Sequence, residues 1–194
     1  NSISSIFIAL VSPFLGAIAD RGSAKKKLLI TFAFLGVLMT ASLWFVEQGE
    51  WQLAVFFYVI ATIGFMAGNI FYDSLLPAVA SREKVDYVSA LGYSLGYLGG
   101  GSLFAVNVLM YLHPDWFGIP DSSTAIRISF LTVAIWWAVF TLPIIIFLPE
   151  PKSSNSVPLS KAVFSGISQL RETYDNIREM KIIGTFLLAF WLYE

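Results

Sequence analysis

The chain has 194 residues, 57% of them hydrophobic and only 13% charged, with a formal net charge of −1. Its mean hydropathy is +0.73. Soluble domains carry about 25% charged residues, so this composition excludes a water-solvated globule and fits a chain dissolved in lipid. The near-neutral balance supplies no field for nucleic acid, and the lack of cysteine excludes disulfides and thiolate metal sites.

Apolar runs fall at 3–19, 28–46, 51–72, 87–112 and 126–148, and an incomplete one opens at 182. A helix crosses the hydrocarbon core with ~20 apolar residues at a rise of ~1.5 Å each. Backbone groups in lipid must be satisfied within the segment, so runs of this length are predicted to be helices. The sequence starts at Asn1 and stops at Glu194 inside an apolar run, and it reads as an internal fragment without a recognisable signal peptide.

The placement of Lys and Arg sets the orientation. Arg21, Lys25, Lys26 and Lys27 follow the first run, Arg82 and Lys84 the third, and Lys152, Lys161, Arg171, Arg178 and Lys181 the fifth. The opposite loops hold only Arg127, beside Glu47, Glu50, Asp115 and Asp121. Such one-sidedness makes the basic loops cytoplasmic. Trp44, Trp51 and Trp116 lie at the outer turns, where an interfacial belt is expected, while Trp136 and Trp137 sit mid-span and are assigned to packing, with cavity lining as the alternative.

After the fifth run, Pro149 and Pro151 stop the helix and Ser153 to Val157 is a polar linker. Leu159, Val163, Ile167, Leu170, Tyr174 and Ile177 then recur at three- or four-residue spacing among charged residues, the pattern of an amphipathic helix lying along the membrane or on the ends of the spans. The expected organisation is therefore a transmembrane block at 1–148, a cytoplasmic linker at 149–181 and the start of a further block at 182–194.

Three clusters stand out within this frame. The loop after the first run places Gly16 four residues ahead of Asp20, which Arg21 follows, and then come Gly22 and the basic group Lys25, Lys26 and Lys27. Gly16 permits close helix approach, Asp20 can accept from a helix N-terminus or pair with a cation, and the lysines suit anionic headgroups. In the fourth run Gly92, Gly96 and Gly100 recur every four residues with Gly101 adjacent, giving a smooth face open to a neighbouring backbone, flanked by Tyr93 and Tyr97. Helix packing is the plain explanation of that stripe. Near the end of the third run Asn69 and Asp73 lie one turn apart, either as a hydrated helix end or as a gate in which Asp73 pairs with Arg21 or Arg82.

The Gly16 to Lys25 loop resembles the loop between helices two and three of the major facilitator superfamily, G-x-x-x-D-R-x-G-R-K, with the second glycine one place early at Gly22 and Ala24 at the first basic position. The resemblance implies an all-α polytopic bundle in which the runs are helices two to six of an N-terminal half, followed by the start of helix seven. It also implies that Gly16, Asp20, Arg21 and Lys25 belong to a cytoplasmic gate, which Asp73 joins if it pairs with Arg21 or Arg82 as above. Gly92, Gly96, Gly100 and Gly101 resemble the glycine pattern of helix five in antiporters of the superfamily, with Tyr97 where proline belongs. Together with Phe71 to Pro77 and Phe186 to Glu194, these segments are similar to the vacuole-effluxer-like branch.

The resemblance implies a secondary active transporter exporting a small solute such as neutral amino acids by alternating access. Tyr93, Tyr97, Asn107 and Asn69 are the candidate substrate contacts. The partners implied are the bilayer and a small-molecule substrate, with or without proton coupling; no nucleic acid, cofactor or metal is called for, and a monomer is expected. The setting implied is a multi-pass protein of a bacterial inner membrane, with a vacuolar membrane as the alternative. The competing reading is a membrane-embedded enzyme or scaffold subunit, but no G-x-S-x-G, H-E-x-x-H or P-loop pattern occurs and His113 stands alone.

Overall fold

The computed structural model describes residues 25–150, together with Ile8, Val11, Ser12, Phe14 to Gly16 and Thr185. The linker at 151–181, its amphipathic segment and most of the run from 182 lie outside the described residues. So do Asp20 and Arg21. Four long helices make up the described part: α1 (Lys25–Ser42), α2 (Trp51–Val79), α3 (Val85–Leu112) and α4 (Ser122–Phe147). Short 3-10 turns at Leu43–Phe45 and Pro114–Phe117 complete the two outer connections. All four helices are long and apolar enough to cross a membrane, so the chain is an integral, multi-pass, all-α membrane protein.

The helices alternate in direction, and contacts at both ends confirm it. The start of α1 meets the finish of α4 at the basic end, where the Lys26 and Lys27 backbone N–H groups donate to the Glu150 carboxylate at 2.9 and 3.2 Å. At the outer end the Arg127 Nε, in the first turns of α4, donates to the Trp44 carbonyl at 2.8 Å and its guanidinium lies 5.0 Å from the Trp44 ring centre. The wide apolar loop-free stretches between these ends carry no strand among the described residues.

α2 extends to Val79, beyond the predicted end at residue 72, because one carboxylate and a proline do not break it. Pro77 lies inside its last turn, and the Ala80 N–H still closes the helix on the Leu76 carbonyl. α4 starts earlier than its apolar run, at the Asp121 cap. One Asp121 oxygen accepts the Thr124 N–H at 2.8 Å and the other the Thr124 hydroxyl at 3.0 Å. These bonds hold the Asp121 carboxyl below its ordinary value.

Packing is densest where α1 crosses α2. At Gly64 a Cβ would stand 2.8 Å from both the Gly36 nitrogen and the Phe32 carbonyl oxygen, so the two backbones touch. The Trp137 indole of α4 lies directly on Gly36 and edge-on to Phe65, with ring centres 5.9 Å apart. Below this crossing, toward the basic end, Phe71 is fully buried and stacks on Phe32 at 5.8 Å. Ile8 and Leu15 of the first span are helical and share this core with Leu29, Ala67 and Leu75. α3 is held differently: it packs mainly on α4 and barely touches α2.

Two outcomes are expected. Gly64→Ala lowers stability in detergent by about 1–3 kcal/mol, because backbone cannot yield to a methyl. Gly68→Ala, whose Cβ meets nothing nearer than Leu29 Cδ1 at 3.9 Å, is tolerated; equal thermal shifts for the two would refute the backbone contact. The lowered carboxyl of Asp121 contributes stability above its unfolded value, ~3.9, and that contribution disappears as pH falls through the lower folded value. Amide protection at residues 122–126, measured relative to the intrinsic exchange rate at each pH, therefore falls at acid pH in the native protein, and Asp121→Asn removes that fall.

Candidate functional site

The basic end of the bundle is built around backbone groups that a helix cannot satisfy by itself. Pro149 has no N–H, so the Ile145 carbonyl four residues earlier lacks its helical donor. The Lys26 ammonium reaches it at 2.8 Å. At the same place α1 begins with three lysines and no acidic residue in its first turn, and its free N–H groups receive the Glu150 carboxylate. A negative charge there also suits the positive end of the helix dipole. Lys25 donates to the Ser74 carbonyl of α2 at 3.3 Å. Two of the three lysines expected on headgroups therefore tie α1 to α2 and α4.

Further in, Tyr93 of α3 donates to the Asp73 carboxylate of α2 at 3.3 Å. Asp73 is the one carboxylate in the four described helices that lies more than a turn from either helix end. Its partner in this conformation is a hydroxyl, neither Arg82 nor another cation among the described residues. The Tyr72 hydroxyl stands 3.0 Å from where a Gly92 Cβ would be, so Gly92 lets tyrosine lie across α3. Tyr97, one turn beyond Tyr93, is 79% exposed. Gly16 is helical and has nothing within 4 Å of its Cβ position.

The four residues expected to line one substrate cavity are not brought together. Asn69 borders a space of about 150 Å³ between α1, α2 and α4, next to Tyr72 and Trp137. Asn107 borders a separate groove of about 780 Å³ near the middle of the bundle, and its amide oxygen accepts the Thr132 hydroxyl at 2.9 Å. Tyr93 and Tyr97 face neither space. Helical spacing placed Tyr93 and Asn107 on one side of α3; α2 and α4 then divide that side into two environments.

The expected close approach of a backbone to the glycine stripe is absent among the described residues. Gly96, Gly100 and Gly101 have nothing within 4 Å of their Cβ positions. Gly99, which the four-residue spacing omits, does pack, its Cβ position 3.5 Å from Trp136, and within the stripe Gly92 alone has a neighbour among the described residues, the Tyr72 hydroxyl. Glu150 escaped the sequence reading altogether. The available signals were an acid set between two prolines and a helix start composed only of lysines, 124 residues apart in sequence.

Comparison with known proteins defines the lineage of this arrangement. The whole chain, residues 1–194, matches the family model described as "Vacuole effluxer Atg22 like". The chain belongs to this family. A Bacillus subtilis (strain 168) protein named as an uncharacterised MFS-type transporter, YxiO, is 35% identical over 193 residues, covering 99% of this chain and 45% of that protein. Autophagy-related protein 22 of Yarrowia lipolytica is 20% identical over 268 residues, covering 98% of this chain and 44% of the relative. The protein of the same name from Pichia angusta is 24% identical over 182 residues, covering 82% and 32%. The chain thus spans less than half the length of these curated relatives. No solved structure matches it significantly.

Within the Atg22-like family member described here, the Glu150 contact is open to direct test. Glu150→Ala is expected to cost about 1–2 kcal/mol, the scale of charge-assisted helix-end bonds, and to speed amide exchange at Lys26 and Lys27 before the rest of α1. Uniform exchange across α1 in the variant would show that the carboxylate does not hold this end.

Proposed function

We propose that the full-length protein is a secondary transporter of the major facilitator type that exports a small solute, such as neutral amino acids, by alternating access. The match of all 194 residues to a family described as vacuole effluxers carries this reading. The name of the Bacillus relative as an MFS-type transporter supports it. In this proposal two halves rock about a midplane site, and the present chain supplies most of one half.

Within that scheme each group of residues has its own role. Gly16, Asp20, Arg21 and Lys25 form the cytoplasmic gate, and Lys25 is already tied to the end of α2 through Ser74. Asp73 belongs to the same gate, exchanging its Tyr93 bond for Arg21 or Arg82 when the half moves. Tyr93 and Tyr97, exposed on α3, and Asn69 are the residues offered to substrate. Tyrosine hydroxyls and an amide suit an uncharged or zwitterionic solute better than a strongly ionic one.

The test is uptake into proteoliposomes of the full-length protein, using a panel of neutral amino acids with and without a pH gradient. Transport of at least one is expected, with dependence on the gradient reporting proton coupling. Asp20→Ala is expected to reduce turnover at least tenfold while substrate affinity stays within about twofold, the pattern of a residue that governs conversion between states. Wild-type turnover in that variant would remove Asp20 from the gate; no transport of any panel member would remove the amino-acid assignment.

A further inference from the structure

Arg127 is the one cation at its end of the bundle among the described residues; Lys25, Lys26, Lys27, Arg82 and Lys84 all stand at the other end. Its guanidinium is fixed in place. Nε donates to the Trp44 carbonyl at 2.8 Å, and the group lies 5.0 Å from the centre of the Trp44 ring. That occupies the Nε edge alone. The terminal nitrogens carry further donors, which have no acceptor among the described residues.

Beside this arginine lies a pocket of about 500 Å³ between the outer ends of α1, α2 and α4. Leu43, Val46 and Phe130 give it an apolar wall, and Glu47 borders it together with Arg127. The Glu47 carboxylate takes no part in the turn, which Glu50 closes by accepting the Glu47 N–H at 2.9 Å. Two opposite charges thus border one pocket, yet no ion pair joins them among the described residues. The guanidinium is held by Trp44 instead, and the two charges remain apart.

Depth decides what meets them. α4 has 26 residues, roughly 39 Å at ~1.5 Å each, against a hydrocarbon thickness of ~30 Å. Centred in the bilayer, α4 sets the Arg127 backbone about 3 Å inside the hydrocarbon edge, with the side chain at headgroup level. Phe45 and Trp51, both well exposed, flank the same level as interfacial aromatics do. A charge at this depth is costly unless an anion meets it.

We infer that the pocket seats the headgroup of a phospholipid that carries a primary amine. The phosphodiester accepts from the terminal nitrogens of Arg127, whose planar fork suits two phosphate oxygens at once. The ammonium donates to Glu47, and the glycerol and first acyl carbons lie along Leu43, Val46 and Phe130. A choline headgroup has no N–H to give, and a glycerol headgroup has no positive charge. The site therefore selects ethanolamine, and its filling ties the outer turn to α4. A dissolved zwitterion offers the same pair of charges, but the bilayer presents phosphates at this depth at all times. The inference concerns the lipid alone and does not rest on the solute proposed above.

The experiment delipidates the full-length protein in detergent and adds back phosphatidylethanolamine, phosphatidylcholine or phosphatidylglycerol with identical acyl chains. Native mass spectrometry then measures how much of each is retained. The wild type is expected to retain phosphatidylethanolamine several-fold more strongly than the other two. Glu47→Gln lowers that retention to the level of phosphatidylglycerol. The lipid-free unfolding temperature stays unchanged in this variant, because the Glu47 side chain bonds nothing among the described residues. Arg127→Gln loses retention of all three; it also releases the Trp44 carbonyl, so the Glu47 variant and the headgroup comparison carry the test. Equal retention of the three lipids by the wild type overturns the inference. An undiminished preference for phosphatidylethanolamine in Glu47→Gln overturns it as well. Displacement of the lipid by free leucine in large excess would make the pocket a solute site and reject the lipid assignment. None of these readouts depends on transport.

Discussion

The architecture hangs on the contact between two glycines. At Gly36 and Gly64 the backbones of α1 and α2 approach until no side chain could stand between them. That approach creates the flat site on which Trp137 lays its indole, and so it fixes α4 as well. In lipid, where burial of apolar surface contributes little, such contacts replace the hydrophobic effect as the source of a defined packing. The Phe32 and Phe71 stack and the shared core with the first span follow one or two turns below, in the register that the crossing imposes.

The same economy governs the basic end. A proline that stops α4 leaves one carbonyl without a donor, and a lysine that starts α1 supplies it. The N–H groups freed at the start of α1 meet the carboxylate that follows the proline. Each helix end corrects a deficit of the other, and at the outer end Arg127 does the equivalent for the Trp44 carbonyl. α1, α2 and α4 thus form one tied block, while α3 is attached mostly along α4.

The four described helices and their alternation were legible in the sequence because both follow from one strong local signal, apolar run length. The order of Gly16, Asp20 and Arg21 likewise pointed to the family, which the match over the whole chain bears out. Helix ends were less legible. Hydropathy stops at Tyr72, yet the backbone of α2 continues through Asp73 and Pro77 because neither residue there forces it to break. The grouping of polar side chains was least legible. Spacing along α3 says that Tyr93 and Asn107 share a side, but only the positions of α2 and α4 decide that one meets Asp73 and the other Thr132. Glu150 was invisible for the same reason: its role is set by a helix start far away in sequence.

The length of α2 carries a consequence for the membrane itself. Its 29 residues extend roughly 43 Å at ~1.5 Å per residue, against a hydrocarbon thickness of ~30 Å. The excess is resolved by tilt, by protrusion or by local thickening of the bilayer, each at a cost that depends on the lipid. The last turns of α2 hold Asp73, and Lys25 is fastened beside them. Acyl-chain length therefore sets how far that carboxylate stands from water. A thin bilayer hydrates it and a thick one withdraws it, so the lipid composition of the host membrane acts on the same pair of helices that the protein fastens from within.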